Sequence, residues 1–393
     1  MQSFGDSMVR RWKYLLLVIF LSACSSTERS ADPLTYTMMP LSFEEIRMWD
    51  EFNPEGLNTM IQTNTDIWIE EHQGKQSLNY LALSGGGFNG AFSAGILTAW
   101  TEQGDRPTFD IVTGISTGAI VSVFAFLGSE YDDVLTELYT ETDFNDLFSY
   151  RNIFSLVRHQ SILDTSPFEK KVRQIVNDDL VTEIANQSRS GRNLIIGTTN
   201  IDNQRLALWN ISRIAEHGTP QATALIQELI IASSSIPGAF PARKILFELG
   251  GQQFDELHVD GGVVRQVFFA PSWVDLRDVG VEQNLYVIRN GSLKSEFQPV
   301  SHRLSHISER AISTLMLNQG IGDVEHIYHN ARQQGMKFNL AYIDEDFQPP
   351  QEASPYSDEF MTGLFEYSYE KMLEREAWQS LPPSLPEYYQ VAD

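Results

Sequence analysis

The sequence predicts an α/β protein built on a largely parallel sheet that helices cover on both faces. Two observations carry this. The short, continuously apolar runs 79–83 and 109–113 are each followed by a glycine-bearing turn and then an apolar helix. Strands apolar on both sides suit a sheet buried on both faces. In addition, no repeat or low-complexity linker divides residues 75–345, so one large domain is expected there.

The elements follow in order. Residues 25–40 read as a polar linker and 41–70 as one or two peripheral helical segments. After the strand 79–83 a helix runs to about Gln103, and after 109–113 another covers 117–128. The segment 131–190 is mostly helical, with Pro167 set near a helix start behind Asp164-Thr165-Ser166. Stretches 193–199 and 205–209 read as paired strands around an Asp202-Asn203 turn, followed by a helix over 221–233. Strands are expected at 256–259, 284–288 and 337–343, with helices near 303–335. The acidic, proline-bearing stretch 344–357 breaks the pattern before a helix over 358–377 and an extended tail. Aromatic side chains of that last segment, Phe360, Phe365, Tyr367, Tyr369 and Trp378, could form a membrane-facing or oligomer surface, with core packing the default expectation.

At 393 residues and 42% hydrophobic content the chain can bury a sizeable core. Its 52 acidic against 28 basic residues give a formal charge of −24. Nucleic acid is therefore not an expected partner, because phosphate contacts need a concentrated positive surface. A single cysteine, Cys24, excludes an internal disulfide and a cysteine-based zinc site.

That cysteine has a context. Arg10, Arg11 and Lys13 precede an apolar run over 14–21, then Ser22, Ala23 and Cys24. These are the parts of an export signal, and the run is about half of the roughly 20 residues a spanning helix needs. Leu21-Ser22-Ala23-Cys24 resembles a bacterial lipobox, which implies cleavage before Cys24 and lipid attachment to it. Ser25 is not the aspartate that resembles an inner-membrane retention signal. The expected location is thus the bacterial cell envelope, anchored in the outer membrane and facing the periplasm. Cleavage would take the formal charge to −26, since three basic residues and one acidic residue leave with 1–23. The expected division is a lipoprotein signal peptide (1–23), a lipidated tether with a helical extension (24–74), a catalytic domain (75–345) and a C-terminal helix and tail (346–393).

Gly114-Ile115-Ser116-Thr117-Gly118 lies between an apolar strand and an apolar helix. That is where a nucleophile elbow sits: a strained turn lifts the serine hydroxyl while Gly114 and Gly118 let the chain pass closely. A helix-capping role for Ser116 or Thr117 is the plainer alternative. Upstream, Gly85-Gly86-Gly87 follows a strand and opens a helix, where successive N–H groups can face a developing oxyanion. The Thr117 N–H is a further candidate donor. The same glycines spell Gly85-x-Gly87-x-x-Gly90, a dinucleotide-binding pattern, but Asp105 and Asp110 are poorly placed to bind a ribose. A phosphate-binding P-loop fails for want of Gly-Lys-Ser/Thr.

A base for Ser116 is sought among the late histidines, His302, His306, His326 and His329. All fall in or near helical stretches without a loop signature, and His326/His329 lack the partners of a zinc site. Asp260, in Leu257-His258-Val259-Asp260-Gly261-Gly262, is better placed at the end of a short strand. A carboxylate within direct reach of Ser116 can deprotonate it without an imidazole. A turn-forming Asp-Gly is the alternative.

Together the loop 85–90, the Ser116 turn, the segment 233–241 and Asp260-Gly261-Gly262 resemble the patatin-like phospholipase family over roughly residues 79–270. The resemblance implies a three-layer α/β/α fold and a Ser-Asp dyad. In that reading Ser116 attacks an ester carbonyl, and Asp260 takes its proton and then activates water. Gly86 and Gly87, with Gly85 and Thr117, form the oxyanion hole. Two departures stand out. Asn89 occupies a position that is Arg in many members, and residues 263–269 lack the Asn-Pro often found nearby. Arg265, within them, is read as a headgroup contact or a structural ion pair.

The expected activity is hydrolysis of phospholipid or lysophospholipid esters. A general esterase, an acyltransferase or a non-catalytic envelope scaffold are the alternatives. The expected partners are a membrane lipid or other acyl-ester substrate, and a bacterial membrane through the anchor. No cofactor or metal is called for, and no calcium-loop signature occurs. Changing Cys24 to Ala should shift the protein from the membrane to the soluble fraction on cell fractionation. Unchanged retention would mean that Cys24 is not the anchor.

Overall fold

The computed structural model describes residues 38–43, 45–50, 67–72, 74–142, 144–151, 161–249, 251–271, 274–277, 279–350, 354 and 357–386. The expected export signal and Cys24 lie outside them.

Among the described residues, nine strands form the main sheet. They are β1 (Arg47–Trp49), β2 (Ser77–Leu83), β3 (Ile111–Ile115), β6 (Asn193–Asn200), β7 (Arg205–Asn210), β8 (Arg243–Leu249), β9 (Gln252–Asp260), β10 (Glu282–Arg289) and β11 (Lys337–Tyr342). A separate short ladder pairs β4 (Ser149–Tyr150) with β5 (Leu163–Asp164). The main order is β1-β7-β6-β3-β2-β10-β11. β6, β3, β2, β10 and β11 run parallel, while β7 and β1 add an antiparallel edge. The β8–β9 hairpin joins through β9, antiparallel to the end of β6.

Side chains of a strand alternate between faces, and here both faces are buried. On β2, Leu78, Tyr80 and Ala82 enter one core cluster while Leu81 and Leu83 enter another. The larger cluster is roofed by α1 (Gly90–Gln103), α2 (Thr117–Leu127), α3 (Asp132–Thr140), α5 (Ser166–Ile175), α6 (Asp178–Arg189), α7 (Ile211–Glu216), α8 (Pro220–Ser233) and α10 (Asp358–Leu373). The one-turn helix α4 (Phe144–Leu147) lies before β4. On the other face, Val324, Ile327, Tyr328 and Ala331 of α9 (Leu304–Gln333) cover the sheet. The result is a three-layer α/β/α body.

Local chemistry sets the helix starts. Thr219 accepts from the Ala222 N–H with Pro220 as the first residue of α8, and Asn177 and Ser357 cap α6 and α10 in the same way. α2 is apolar almost all round because it is buried almost all round.

Three expectations need correction. The segment 41–70 is not simply helical: β1 lies within it and pairs with β7, burying Ile46, Arg47 and Trp49. Arg47 holds it there, donating to Glu256 at 2.6 Å and packing over the Trp49, Trp209 and Phe247 rings. The strand expected at 256–259 is the second arm of a hairpin whose first arm, β8, was not expected. The helices near 303–335 are one helix of 30 residues, α9.

α10 belongs to the same core as the sheet, with Met361, Leu364 and Met372 buried against α1. Leu364→Ala should lower the unfolding free energy in urea by about 2–5 kcal/mol, within a single transition. A separate early transition would mean that α10 folds apart from the sheet.

Candidate active site

Ser116 follows the last residue of β3 and precedes α2. Its φ of 57° and ψ of −125° are strained for a residue with a side chain, as the elbow reading requires. The turn closes only because its neighbours are small. A Cβ on Gly114 would lie 2.4 Å from the Gly118 carbonyl oxygen, and one on Gly118 would lie 2.4 Å from that of Leu83. The Ser116 N–H donates to Ser233 Oγ at 2.9 Å, and the Ser233 hydroxyl donates to the Gly197 carbonyl at 2.7 Å. Ser233 thus ties the elbow to β6. Sequence reasoning gave it no such role, although the serine triplet ending α8 was the available signal.

Asp260 arrives from the opposite direction. Ile115 of β3 pairs with Gly197, and Asp260 of β9 pairs with Thr198, the next residue on β6. Ser116 therefore leaves the sheet where Asp260 reaches it, and its hydroxyl donates to Asp260 Oδ2 at 2.7 Å. The other carboxylate oxygen accepts from the Gly262 N–H at 2.7 Å. Both side chains are buried, and no cation pairs with Asp260 among the described residues. Burial lifts its pKa to about 7, against the opposing pull of the Ser116 and Gly262 hydrogen bonds. Such a carboxylate takes up and releases a proton near neutrality.

The glycine loop lies beside the elbow. A Cβ on Gly86 would fall 2.1 Å from the Asn290 carbonyl oxygen, so only glycine fits. Neither the Gly86 nor the Gly87 N–H has a protein acceptor among the described residues, and both residues line the same cavity as Ser116 and Thr117. Gly85 is the exception to the expected donor set. Its N–H is taken by the Gln266 carbonyl at 2.9 Å, so it cannot serve an oxyanion. Asn290 Nδ2 donates to the Ser84 carbonyl at 2.9 Å, and Arg289 Nη1 to that of Gly85 at 2.9 Å. The Gly85 carbonyl shares a peptide plane with the Gly86 N–H. A guanidinium on one end fixes and polarises the donor at the other.

The cavity holds about 620 Å³, within the usual range for a small-molecule site. Its floor carries Ser116 and the loop glycines. Its walls are apolar, with Phe88, Phe148, Phe168 and Phe240 among them, and the last three rings contact one another. This is a volume suited to a hydrocarbon chain.

Other candidate residues sit elsewhere. Asp110 accepts from Asn79 N–H and Lys75, and Asp105 pairs with Arg375, so neither acid serves the dinucleotide pattern. Asn89 has ordinary helical φ and lines the cavity. Arg265 pairs with Asp50 and Asp323, which makes it a structural ion pair. The four late histidines lie on or beside α9 and do not line the cavity.

A parallel sheet that raises a serine at a strand end, inside an α/β/α sandwich, is the architecture of a class of serine hydrolases. Residues 81–273, just under half of the chain, match the family described as patatin-like phospholipase. The matched stretch has the patatin-like three-layer α/β/α fold, with a mixed, largely parallel sheet. Uncharacterized protein R571 of Acanthamoeba polyphaga mimivirus is 28% identical over 205 residues, which is 51% of this chain and 62% of that protein. The chain thus covers less than two thirds of that relative. Among solved structures, VipD from Legionella pneumophila is 12% identical with a TM-score of 0.39, over 78% of this chain and 68% of that one. The type III effector protein ExoU is 13% identical with a TM-score of 0.30, over 80% and 58%. Human GIVD cytosolic phospholipase A2 is 10% identical with a TM-score of 0.35, over 84% and 65%.

The raised pKa of Asp260 has a stability consequence. Its folded-state value exceeds that of the unfolded chain, so its contribution is fully present below about pH 4 and is lost as pH rises through about 7. Asp260→Asn should therefore stabilise the protein by on the order of 4 kcal/mol at pH 8, with the gain shrinking toward zero near pH 4. Urea unfolding at the two pH values measures this; an equal effect at both would rule out a desolvated carboxylate.

Proposed function

We propose that the protein is a serine acyl hydrolase that cleaves carboxylic ester bonds of phospholipids or lysophospholipids, with Ser116 as nucleophile and Asp260 as general base. The observation that carries this is the 2.7 Å hydrogen bond from the Ser116 hydroxyl to Asp260 at the floor of an apolar cavity. The strained backbone at Ser116 supports it, as do the N–H groups of Gly86 and Gly87, which have no protein acceptor among the described residues.

In this mechanism the Ser116 oxygen attacks the ester carbonyl as its proton passes to Asp260. Negative charge collects on the carbonyl oxygen, opposite the N–H groups of Gly86, Gly87 and Thr117. Thr117 is the first residue of α2, where an N–H has no partner within the helix. Arg289, held on the Gly85 carbonyl, strengthens the Gly86 donor from behind. Collapse expels the alcohol, which takes the proton from Asp260 and leaves the acyl group on Ser116. Asp260 then deprotonates a water that attacks the acyl-enzyme, and the returning proton restores Ser116. The apolar walls hold the acyl chain.

The same proposal assigns Cys24 as the lipid attachment point and places the protein in the bacterial cell envelope, at the outer membrane. That part rests on residues 10–24 of the sequence.

Purified protein should hydrolyse a short-chain p-nitrophenyl ester and react covalently with an organophosphonate at Ser116. Ser116→Ala and Asp260→Asn should each lower kcat/KM by about 10³-fold or more while the protein stays folded. On the acidic side, kcat/KM should rise with pH and level off above about 7, as Asp260 ionises. Full activity in Asp260→Asn would defeat the dyad, and product mass spectrometry on lipid substrates identifies the bond cut.

A further inference from the structure

α9 has two unlike halves. Residues from Gly320 onward pack on the sheet, with Asp323 accepting from the Gln266 N–H beside the active-site turn. The first four turns project from the body with their apolar side chains uncovered. Leu304 is 81% exposed, Ile307 49%, Ile312 59% and Leu315 70%. Leu304, Ile307, Ala311 and Leu315 recur at intervals of three and four, so they lie along one side of the helix. A soluble helix ordinarily turns such a side to a core, and a contiguous exposed apolar band marks a contact surface.

The band ends close to the active-site cavity. Met316, the residue after Leu315, lines the Ser116 cavity. So do Tyr150, Ile162 and Ile236, which stand on the rim at 73%, 50% and 43% exposure. Upstream, Phe297 is 91% exposed. Charge sets this region apart as well. Between Glu296 and Asp323 the only acid is Glu309, against Arg303 and Arg310 and two histidines, in a chain with 52 acids to 28 bases. This is an exposed stretch of an acidic protein that an anionic surface can approach.

We infer that the projecting half of α9 is an interfacial surface that docks on a lipid bilayer containing anionic headgroups, turning the cavity entrance to the lipid. No helix among the described residues is long and apolar enough to cross a membrane. One apolar side on a helix of this length suits a position in the plane of the interface instead. Pairing with a second copy through the same band would cover the entrance that Met316 borders, whereas a bilayer supplies acyl chains to it. The inference deepens the acyl-hydrolase reading, but binding to lipid is measured without turnover.

The test uses the full chain carrying Ser116→Ala and vesicles of phosphatidylcholine with one fifth phosphatidylglycerol, followed by flotation. The comparison protein adds Leu304→Asp and Leu315→Asp, two exposed positions that do not line the cavity. Binding of the first protein and a partition coefficient lower by about tenfold or more in the second are expected. Added salt should weaken binding of the first protein to the mixed vesicles more than to phosphatidylcholine alone. Equal flotation of both proteins, which would locate binding at the N-terminal apolar run, would overturn the inference. So would absence of flotation, or a dimer in light scattering that the two aspartates convert to monomer. With Ser116 restored, the two aspartates should depress hydrolysis on vesicles and spare that of a soluble ester. A protein that floats through this band yet hydrolyses neither would refute the hydrolase reading and leave the docking surface standing.

Discussion

The site depends on how one strand, β6, shares its edge. β3 pairs along it as far as Gly197, and β9 takes over from Thr198 in the opposite direction. The two chains meet end to end, so whatever follows β3 faces whatever ends β9. Those residues are Ser116 and Asp260. Slipping β9 by one residue would turn the carboxylate to the other face of the sheet, since strand side chains alternate. Close packing locks this register. A Cβ on Gly261 would come within 2.6 Å of the Gly197 carbonyl oxygen, and Ser233 bonds that same carbonyl and the Ser116 N–H. The hairpin arm β8 and the Arg47–Glu256 ion pair then hold β9 from behind.

This arrangement explains what the sequence disclosed and what it hid. The fold class was legible because β2 and β3 are short apolar runs followed by glycine turns. Ser116 and Asp260 were legible because each sits in a local signature, G-x-S-x-G or Asp-Gly-Gly, at a strand end. What depends on distant partners was not. β1 has only three residues, and Arg47 is stabilised by Glu256, 209 positions away. β8 exposes Leu246 at 56%, which blurs the alternation that would have marked it, although a glycine pair follows it in the sequence. Among three consecutive glycines, nothing local tells which N–H is already taken; the Gln266 carbonyl takes that of Gly85. α9 is the converse case: helices are legible near 303–335, but nothing local tells that the apolar side of the first turns stays bare.

The proposed mechanism asks a carboxylate to replace an imidazole as the base, which a raised proton affinity favours, and here that affinity depends on where the nearby cations are held. Burial lifts Asp260 to about 7, while the Ser116 and Gly262 donors pull the other way. A cation added to that set would return the acid to the ordinary carboxylate range and weaken it as a base. Two arginines lie close in sequence or space, and both are engaged elsewhere. Arg265 is held between Asp50 and Asp323. Arg289 bonds the Gly85 carbonyl, Ser84 and Gln266. The Arg289 bond does further service, because positive charge behind the Gly85–Gly86 peptide strengthens the N–H that faces the cavity. The absence of arginine at Asn89 then has a physical reading: the loop carries no charge of its own and receives one through its backbone. In the proposed mechanism positive charge acts on the oxyanion side and is kept from the base, so one buried site would hold both a proton acceptor and an anion-stabilising loop.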